Sequence, residues 1–531
     1  MSVYAALAGA ATHVFYFNHG EHDHFGLRYL LLFITTILSH IAFLVSTKQS
    51  FRHATSVVFP IYTSWLGGIY TSLLIYRAFL NPLNKFPGPS GARISGFCLS
   101  SNLKDRNLYR KLHEYHTRYG PFLRIGPTDL SITNPKAMLA IHGHGTACSK
   151  GAPYDITGSF KSLQALRDKA QHDQRRRLWS AVFGDKALRG YEQRIRIHQG
   201  RFIDKITAQQ GASINITDWC MWYSFDVMGD LAFGHHFGMM ESGKRHWTIQ
   251  LLFDSIHYFG YMLPVWVYGL LMGLPGLSRD YWRFMGYCQM RLDERMKRDN
   301  TVPDIYAGLL APYKDRKPTR SELDTLLGDT HLIIIAGSDT VAVALASALY
   351  LLCRHPEHIK QLRDELSPFI SVPILHDRIA QLEHLNGVIS EALRLFPPTP
   401  TEFRRLTPPE GITVDGTFIP GNTNVQCPLY VLGRSEEIYR QAEKFIPERW
   451  YKYPEMVKER TAFAPFSAGR YSCIGKPVAL MNLRTTLARL IHDFDFGFAP
   501  GEDGNDFTEK AVEHVTFSMG RLDVVFTRRI T

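Results

Sequence analysis

Leu27 to Val45, Thr55 to Tyr76 and His331 to Cys353 are each apolar over about the 20 residues a helix needs to cross a bilayer, yet they cannot share one fate. The third carries Asp339 at its centre, and a mid-membrane aspartate costs about 2.5–3.5 kcal/mol even on insertion scales. That stretch predicts the long central helix of a large folded core. Thr319-Arg-Ser-Glu322 has the form of a capping box that opens it, and Pro356 forces an exit near Arg354. The first two segments predict membrane helices, with Ser2 to Phe17, short and carrying His13, as a weaker third candidate. No basic region leads the first segment, so a cleaved signal peptide is not expected. Arg77, Lys85 and Arg93 follow the last segment, which places the body on the cytosolic side; Lys48 and Arg52 pull the other way.

Three prolines in Asn81-Pro-Leu-Asn-Lys-Phe-Pro-Gly-Pro-Ser90 fix φ and remove backbone donors, making a stiff hinge. The expected organisation is a membrane anchor over residues 1–80, with two or three hydrophobic segments and the start of the hinge, and a catalytic body over 81–531. An apolar share of 45% and a charged share of 21% suit a folded body. Seven cysteines lie far apart with no Cys-x-x-Cys pair, which argues against a zinc site and a disulfide scaffold. A net charge of +11 points to an acidic partner or an anionic membrane surface. The basic residues are scattered and no nucleic-acid motif is present, so nucleic acid is not an expected partner.

Phe466-Ser-Ala-Gly-Arg-Tyr-Ser-Cys473-Ile-Gly475 constrains the chemistry most tightly. Small residues around one cysteine let the backbone turn closely about a sulfur and aim amide N–H groups at it. A thiolate held so, beside an aromatic wall, suits an axial ligand of haem iron. Midway along the central helix stands Ala336-Gly-Ser-Asp-Thr340, an acid and a hydroxyl where protons have to reach a dry site. Glu391 and Arg394 share a helix face at i,i+3, as His172 and Arg176 do at i,i+4. Pro447-Glu-Arg-Trp450 follows later. Arg118 to Gly126 and Leu130 to Thr133 read as short strands. Asp226 to Gly234 reads as a packing helix, and the aromatic, leucine-rich stretch Tyr258 to Leu277 as core or a membrane-dipping loop over a substrate entrance, with core the default.

Together these motifs resemble, in order and spacing, those of the cytochromes P-450. The resemblance implies a mainly α fold with a small β region, preceded by N-terminal transmembrane helices. It implies haem b (iron protoporphyrin IX) with Cys473 as axial thiolate in a loop shaped by Phe466, Gly469 and Gly475. Arg176, with His172 in place of the usual Trp, and Arg405 are then expected at the haem propionates. Most members carry Arg or His two residues before the ligand; this chain has Tyr471 there and Arg470 one step earlier, so either is a candidate contact. Asp339 and Thr340 match the oxygen-binding motif, and Glu391, Arg394 and Arg449 a buried ion network behind the haem loop. Arg175 and Arg177 are left to face an acidic reductase.

The expected activity is monooxygenation of a hydrophobic small molecule with O₂ and electrons from an NADPH-cytochrome P-450 reductase. The expected setting is the endoplasmic reticulum membrane with the body facing the cytosol. The texture of the chain is similar to fungal members of secondary metabolism. Competing readings are a haem-thiolate isomerase or dehydratase that does not activate O₂, and an inactive haem-fold membrane scaffold. A polytopic transporter fails because the chain is too polar after residue 80.

Overall fold

Three helices lead the chain: α1 (Ser2–Thr12), α2 (Gly26–Ser46) and α3 (Phe51–Ile75). The computed structural model describes all residues except 104, 275, 299–302, 370–372, 403 and 530–531. α1 lies along α3, where His13 Nδ1 meets Ser72 Oγ at 2.8 Å, and Phe33 of α2 stacks on Trp65 of α3. Among the described residues, three helical stretches are long and apolar enough to cross a membrane: Asp23–Ser46, Phe51–Lys85 and Arg320–Arg354. Of their most apolar windows 0%, 11% and 72% is buried, which separates two lipid-type surfaces from one core helix. Tyr258 to Leu277 departs from the expected core. Its helix Val265–Gly273 buries only Tyr268, leans on α2, and leaves Trp266 partly exposed. An element apolar all round needs an apolar neighbour on more than one side, and here one neighbour is α2.

A five-stranded sheet stands near the start of the body: β1 (Phe122–Arg124), β2 (Asp129–Ile132), β3 (Ser149–Lys150), β4 (Arg405–Leu406) and β5 (Asn424–Gln426), in the order β1-β2-β5-β4-β3. Only the β2–β5 pair is parallel. The expected strands are shorter than read, since Arg118 and Tyr119 close the preceding helix Leu108–Tyr119. In the β3–β4 register Lys150 stands opposite Arg405. Two buried cations directly opposite one another destabilise a ladder unless something else neutralises them.

The remaining body is mostly helical. α4 (Lys169–Val182), α5 (Ile216–Phe233), α6 (Arg320–Arg354), α7 (Glu357–Leu366), α8 (Glu383–Leu395) and α9 (Lys476–Asp493) frame the site. α6 opens on the predicted capping box: the Thr319 hydroxyl accepts from Glu322 N while the Glu322 carboxylate accepts from Thr319 N at 2.7 Å. It packs against α5, α8 and α9, so the largest apolar cluster surrounds it on most sides. Asp226 of α5 has the structural part expected of it, accepting from the N–H groups of Met239 and Met240.

Candidate active site

Between α6 and the loop before α9 lies a cavity of about 1720 Å³, counting its mouth. Cys473 lines it together with Phe466 and Gly475 on one side and Ala336, Gly337 and Thr340 of α6 on another. Cys473 N donates to Phe466 O at 2.8 Å, which closes the loop about the sulfur. Gly469 makes the turn possible: its φ is +63°, and a Cβ there would fall 2.3 Å from His142 O. Burial pushes the Cys473 thiol up, while the N–H groups of Gly475 and Lys476 and the charge of Arg176 pull it down. Those amides are the donors the glycine-bracketed loop predicts.

The motif on α6 divides in two. Thr340 faces the cavity, its hydroxyl donating back to Ala336 O at 2.7 Å. Asp339 is buried off the cavity and accepts from the Thr516 hydroxyl; burial pushes its carboxyl up to about 6. Gly337 is required by packing as well as by access, since a Cβ there would meet the Met228 side chain of α5 at 2.3 Å. Val227, Met228 and Leu231 of α5 and Leu332 and Ile333 of α6 make the apolar wall. One face of a helix read as packing alone therefore borders the cavity.

The opposite wall is cationic. Lys150, Arg176 and Arg405 line it with His172 and Tyr471. The Tyr471 ring lies between Lys150 Nζ, 4.6 Å from its centroid, and the Arg405 guanidinium, 5.1 Å away, with His172 edge-on at 4.8 Å. Burial, then Arg405 and Arg176, drag the Lys150 ammonium down to about 6. The Tyr471 hydroxyl and Arg405 Nε are buried with no hydrogen-bond partner among the described residues. Unpartnered buried donors beside crowded cations fit a ligand that brings carboxylates, as haem does.

Several expected residues sit elsewhere. Arg470 is not at the cavity: it pairs with Asp173 on the surface, because successive residues of the turn point apart. Arg404, the neighbour of Arg405 and not itself an expected contact, pairs with Asp129 at 2.7 Å. Arg175 is not free for a reductase; its Nε donates to buried Asp329 at 2.9 Å, which also accepts from Leu163 N and Trp179 Nε1. Arg177 remains exposed. Arg176 reaches the cavity while donating to Ser472 O at 2.8 Å, so it ties α4 to the cysteine loop.

Behind the loop the ion network is complete. Glu391 accepts from Arg394 Nη2 at 3.0 Å, Arg449 Nε at 2.8 Å, Ile446 N at 2.9 Å and Trp450 Nε1 at 3.3 Å. The spare guanidinium hydrogens go to carbonyls, including Lys444 O from Arg394 and Arg440 O from Arg449. All three side chains are fully buried. Lys150 and Glu402, both on the cavity wall, have no motif around them. For Lys150 the only signal is a lysine in a short strand, visible as unusual once its partner is known to be Arg405.

The model of the family Cytochrome P450 matches residues 87–519. The chain is 45% identical to the cytochrome P450 monooxygenase notG′ of Aspergillus versicolor, over 98% of this chain and 97% of that one. It is 44% identical to the tryprostatin B 6-hydroxylase of Aspergillus fumigatus, over 99% and 96% of the two chains. Among solved structures, the cytochrome P450DA haem domain superposes with a TM-score of 0.69 at 17% identity, over 84% of this chain and 98% of that one.

Proposed function

The chain belongs to the cytochrome P450 family, and from that premise we propose that it is a membrane-anchored haem monooxygenase that oxidises a hydrophobic small molecule in fungal secondary metabolism. The observation that carries this reading is one cavity joining Cys473, a wall on which Lys150, Arg176 and Arg405 outnumber the carboxyl of Glu402, and the apolar residues beside Thr340. Haem, when bound, supplies the oxygen chemistry, with Cys473 as its axial thiolate. Lys150, Arg176 and Arg405 would hold its carboxylates, and the Tyr471 hydroxyl would donate to one of them. His172 keeps the Tyr471 ring upright. Phe466, Gly469 and Gly475 shape the sulfur loop, and the Glu391, Arg394 and Arg449 network keeps that loop in place.

Thr340 and Asp339 divide the delivery of protons. The Thr340 hydroxyl, once it leaves Ala336 O, presents a donor to the cavity. Asp339, held near 6 by burial, is partly protonated at neutral pH and resupplies that donor from the Thr516 side. The apolar residues of α5 and α6 orient the substrate and exclude water. Two relatives named as tryprostatin B 6-hydroxylases support hydroxylation as the reaction.

Electrons come from an NADPH-cytochrome P450 reductase, and the exposed apolar α2 and α3 support an anchor over residues 1–80 beside a catalytic body over 81–531. The endoplasmic reticulum, with the body on the cytosolic side, is the proposed location; Arg77, Lys85 and Arg93 after the last apolar segment support it.

Reconstituted with a reductase, the protein should take up O₂ in an NADPH-dependent manner. Thr340→Ala should lower product about 10- to 100-fold while NADPH is still consumed and hydrogen peroxide is released. Substrate conversion that needs neither O₂ nor NADPH would instead establish the isomerase or dehydratase reading.

A further inference from the structure

Two histidines and a carboxylate meet outside the cavity, where neither the haem site nor the substrate wall uses them. His358 stands in the first turn of α7, His384 in the first turn of α8, and Glu448 in the turn Pro447–Trp450. His358 Nδ1 lies 3.3 Å from His384 Nε2 and 3.7 Å from Glu448 Oε1, and the three ligand atoms all lie within 4.8 Å of one another. Ligands held at 2.0–2.1 Å around a tetrahedral ion stand about 3.4 Å apart, which is close to both measured separations. Both histidines are buried, and the Glu448 side chain, 16% exposed, leaves a way in from solvent.

The surroundings are those of a metal site. His384 Nδ1 is 3.0 Å from the Tyr451 hydroxyl, so with Nδ1–H donating there, Nε2 turns a lone pair toward the cluster. A ligating histidine typically gives its second ring nitrogen to such an outer partner. The Phe445 ring packs edge-on against His358 at 5.2 Å and fixes its plane.

We propose that His358, His384 and Glu448 bind one Zn²⁺, with water at the fourth position. Two imidazoles and a carboxylate are a donor set of borderline softness, which zinc accepts. The cysteine spacing that argues against a zinc site has no bearing on a His₂Glu set. Binding exchanges the His358–His384 hydrogen bond for two metal bonds, and the proton on His358 Nδ1 moves to its Nε2, so that both imidazoles stay neutral. No substrate cavity adjoins the ion, so its role is to clamp. It joins the start of α8, which carries Glu391 and Arg394, to the turn that carries Arg449. The alternative is a histidine pair satisfied by its own hydrogen bond.

The test uses the untagged, haem-loaded protein, treated with chelator and then given zinc chloride. One zinc per chain should survive gel filtration at low-micromolar metal, and its X-ray absorption edge should report nitrogen and oxygen ligands at about 2.0–2.1 Å. His384→Gln and Glu448→Gln should each weaken binding at least 10-fold, and Tyr451→Phe about 10- to 100-fold, as outer-shell losses do. Zinc should raise the unfolding temperature of the parent and not that of the double variant His358→Gln, His384→Gln. No stoichiometric zinc in the parent, or equal zinc in parent and double variant, overturns the proposal. Where the histidine variants fail to hold haem, Glu448→Gln, the most exposed position, decides by itself: unchanged zinc affinity there counts against the site.

Discussion

Two clusters of cations, one on the cavity wall and one away from it, are built on opposite terms. Behind the loop, Arg394 and Arg449 share the Glu391 carboxylate, and their remaining hydrogens are taken up by backbone carbonyls. At the cavity, Lys150 and Arg405 face each other across a strand pair, Arg176 stands near, and no carboxylate there balances all three. Glu402 is the acid of that wall, and burial lifts it to about 7. The first cluster is finished by the polypeptide; the second is finished by what binds. A saturated network marks structure, and an unsaturated one marks a site.

The sharpest way to break this contrast is to damage each cluster and compare the haem-free and haem-loaded proteins. Glu391→Ala leaves two guanidinium groups buried without a counter-charge and should cost about 3–5 kcal/mol in both forms. Chemical denaturation of the two forms measures it. A loss confined to the loaded form would place Glu391 with the cofactor and not with the scaffold.

Arg405→Ala should do the reverse. Its Nε has no partner among the described residues and its charge presses on Lys150, while Nη1 donates to the Tyr154 hydroxyl and the charge also faces Glu402, so the haem-free protein should change little in stability. Haem affinity should fall about 10- to 100-fold, the worth of a hydrogen bond to a charged group. Haem transfer to an excess of apomyoglobin reads the change, and a variant that keeps haem as tightly as the parent removes Arg405 from the site.

Lys150 carries the same contrast into pH dependence. Its folded pKa of about 6 lies below the ordinary 10.5, so between those values the unfolded chain binds more protons. Stability of the haem-free protein therefore rises with pH across that window. Above about pH 7.5 the opposing contribution of Glu402 is over, since its own window closes near 7. Haem carboxylates should lift the lysine and flatten the slope, and Lys150→Met should abolish it. Parallel slopes in parent and variant, measured between about pH 7.5 and 10, would count against this lysine.

What could be read from sequence is what is local. The cysteine loop, the Thr319–Glu322 cap and the Glu391–Arg394 spacing each set their geometry within ten residues, and the fold keeps them. What escaped depends on partners far along the chain. Lys150 has meaning only beside Arg405, and Arg175 changes from surface charge to structural cation only beside Asp329. Tyr258 to Leu277 has core composition, but whether it faces core or α2 is decided by the path of a helix more than 200 residues earlier.

The smallest expected effect belongs to the place where the chain departs from its family. Tyr471 stands where most members place a cation, and its hydroxyl is buried, unpartnered and at the cavity wall. A hydroxyl–carboxylate bond has one charged partner where a guanidinium–carboxylate pair has two, so Tyr471→Phe should loosen haem less than Arg405→Ala does, about 10-fold, the low end for a bond to a charged group. The ring stays in the variant, so its stacking between Lys150 and Arg405 is kept, and the difference isolates the hydroxyl. Tyr471→Arg should hold haem at least as well as the parent, because a guanidinium restores the charged bond. Arg470→Ala should leave haem occupancy unchanged, since Arg470 spends its charge on Asp173 at the surface. If Arg470→Ala proves more damaging than Tyr471→Phe, the loop turns the other way when haem is bound. Arg470 is then the contact, and the unpartnered tyrosine hydroxyl is only a buried defect.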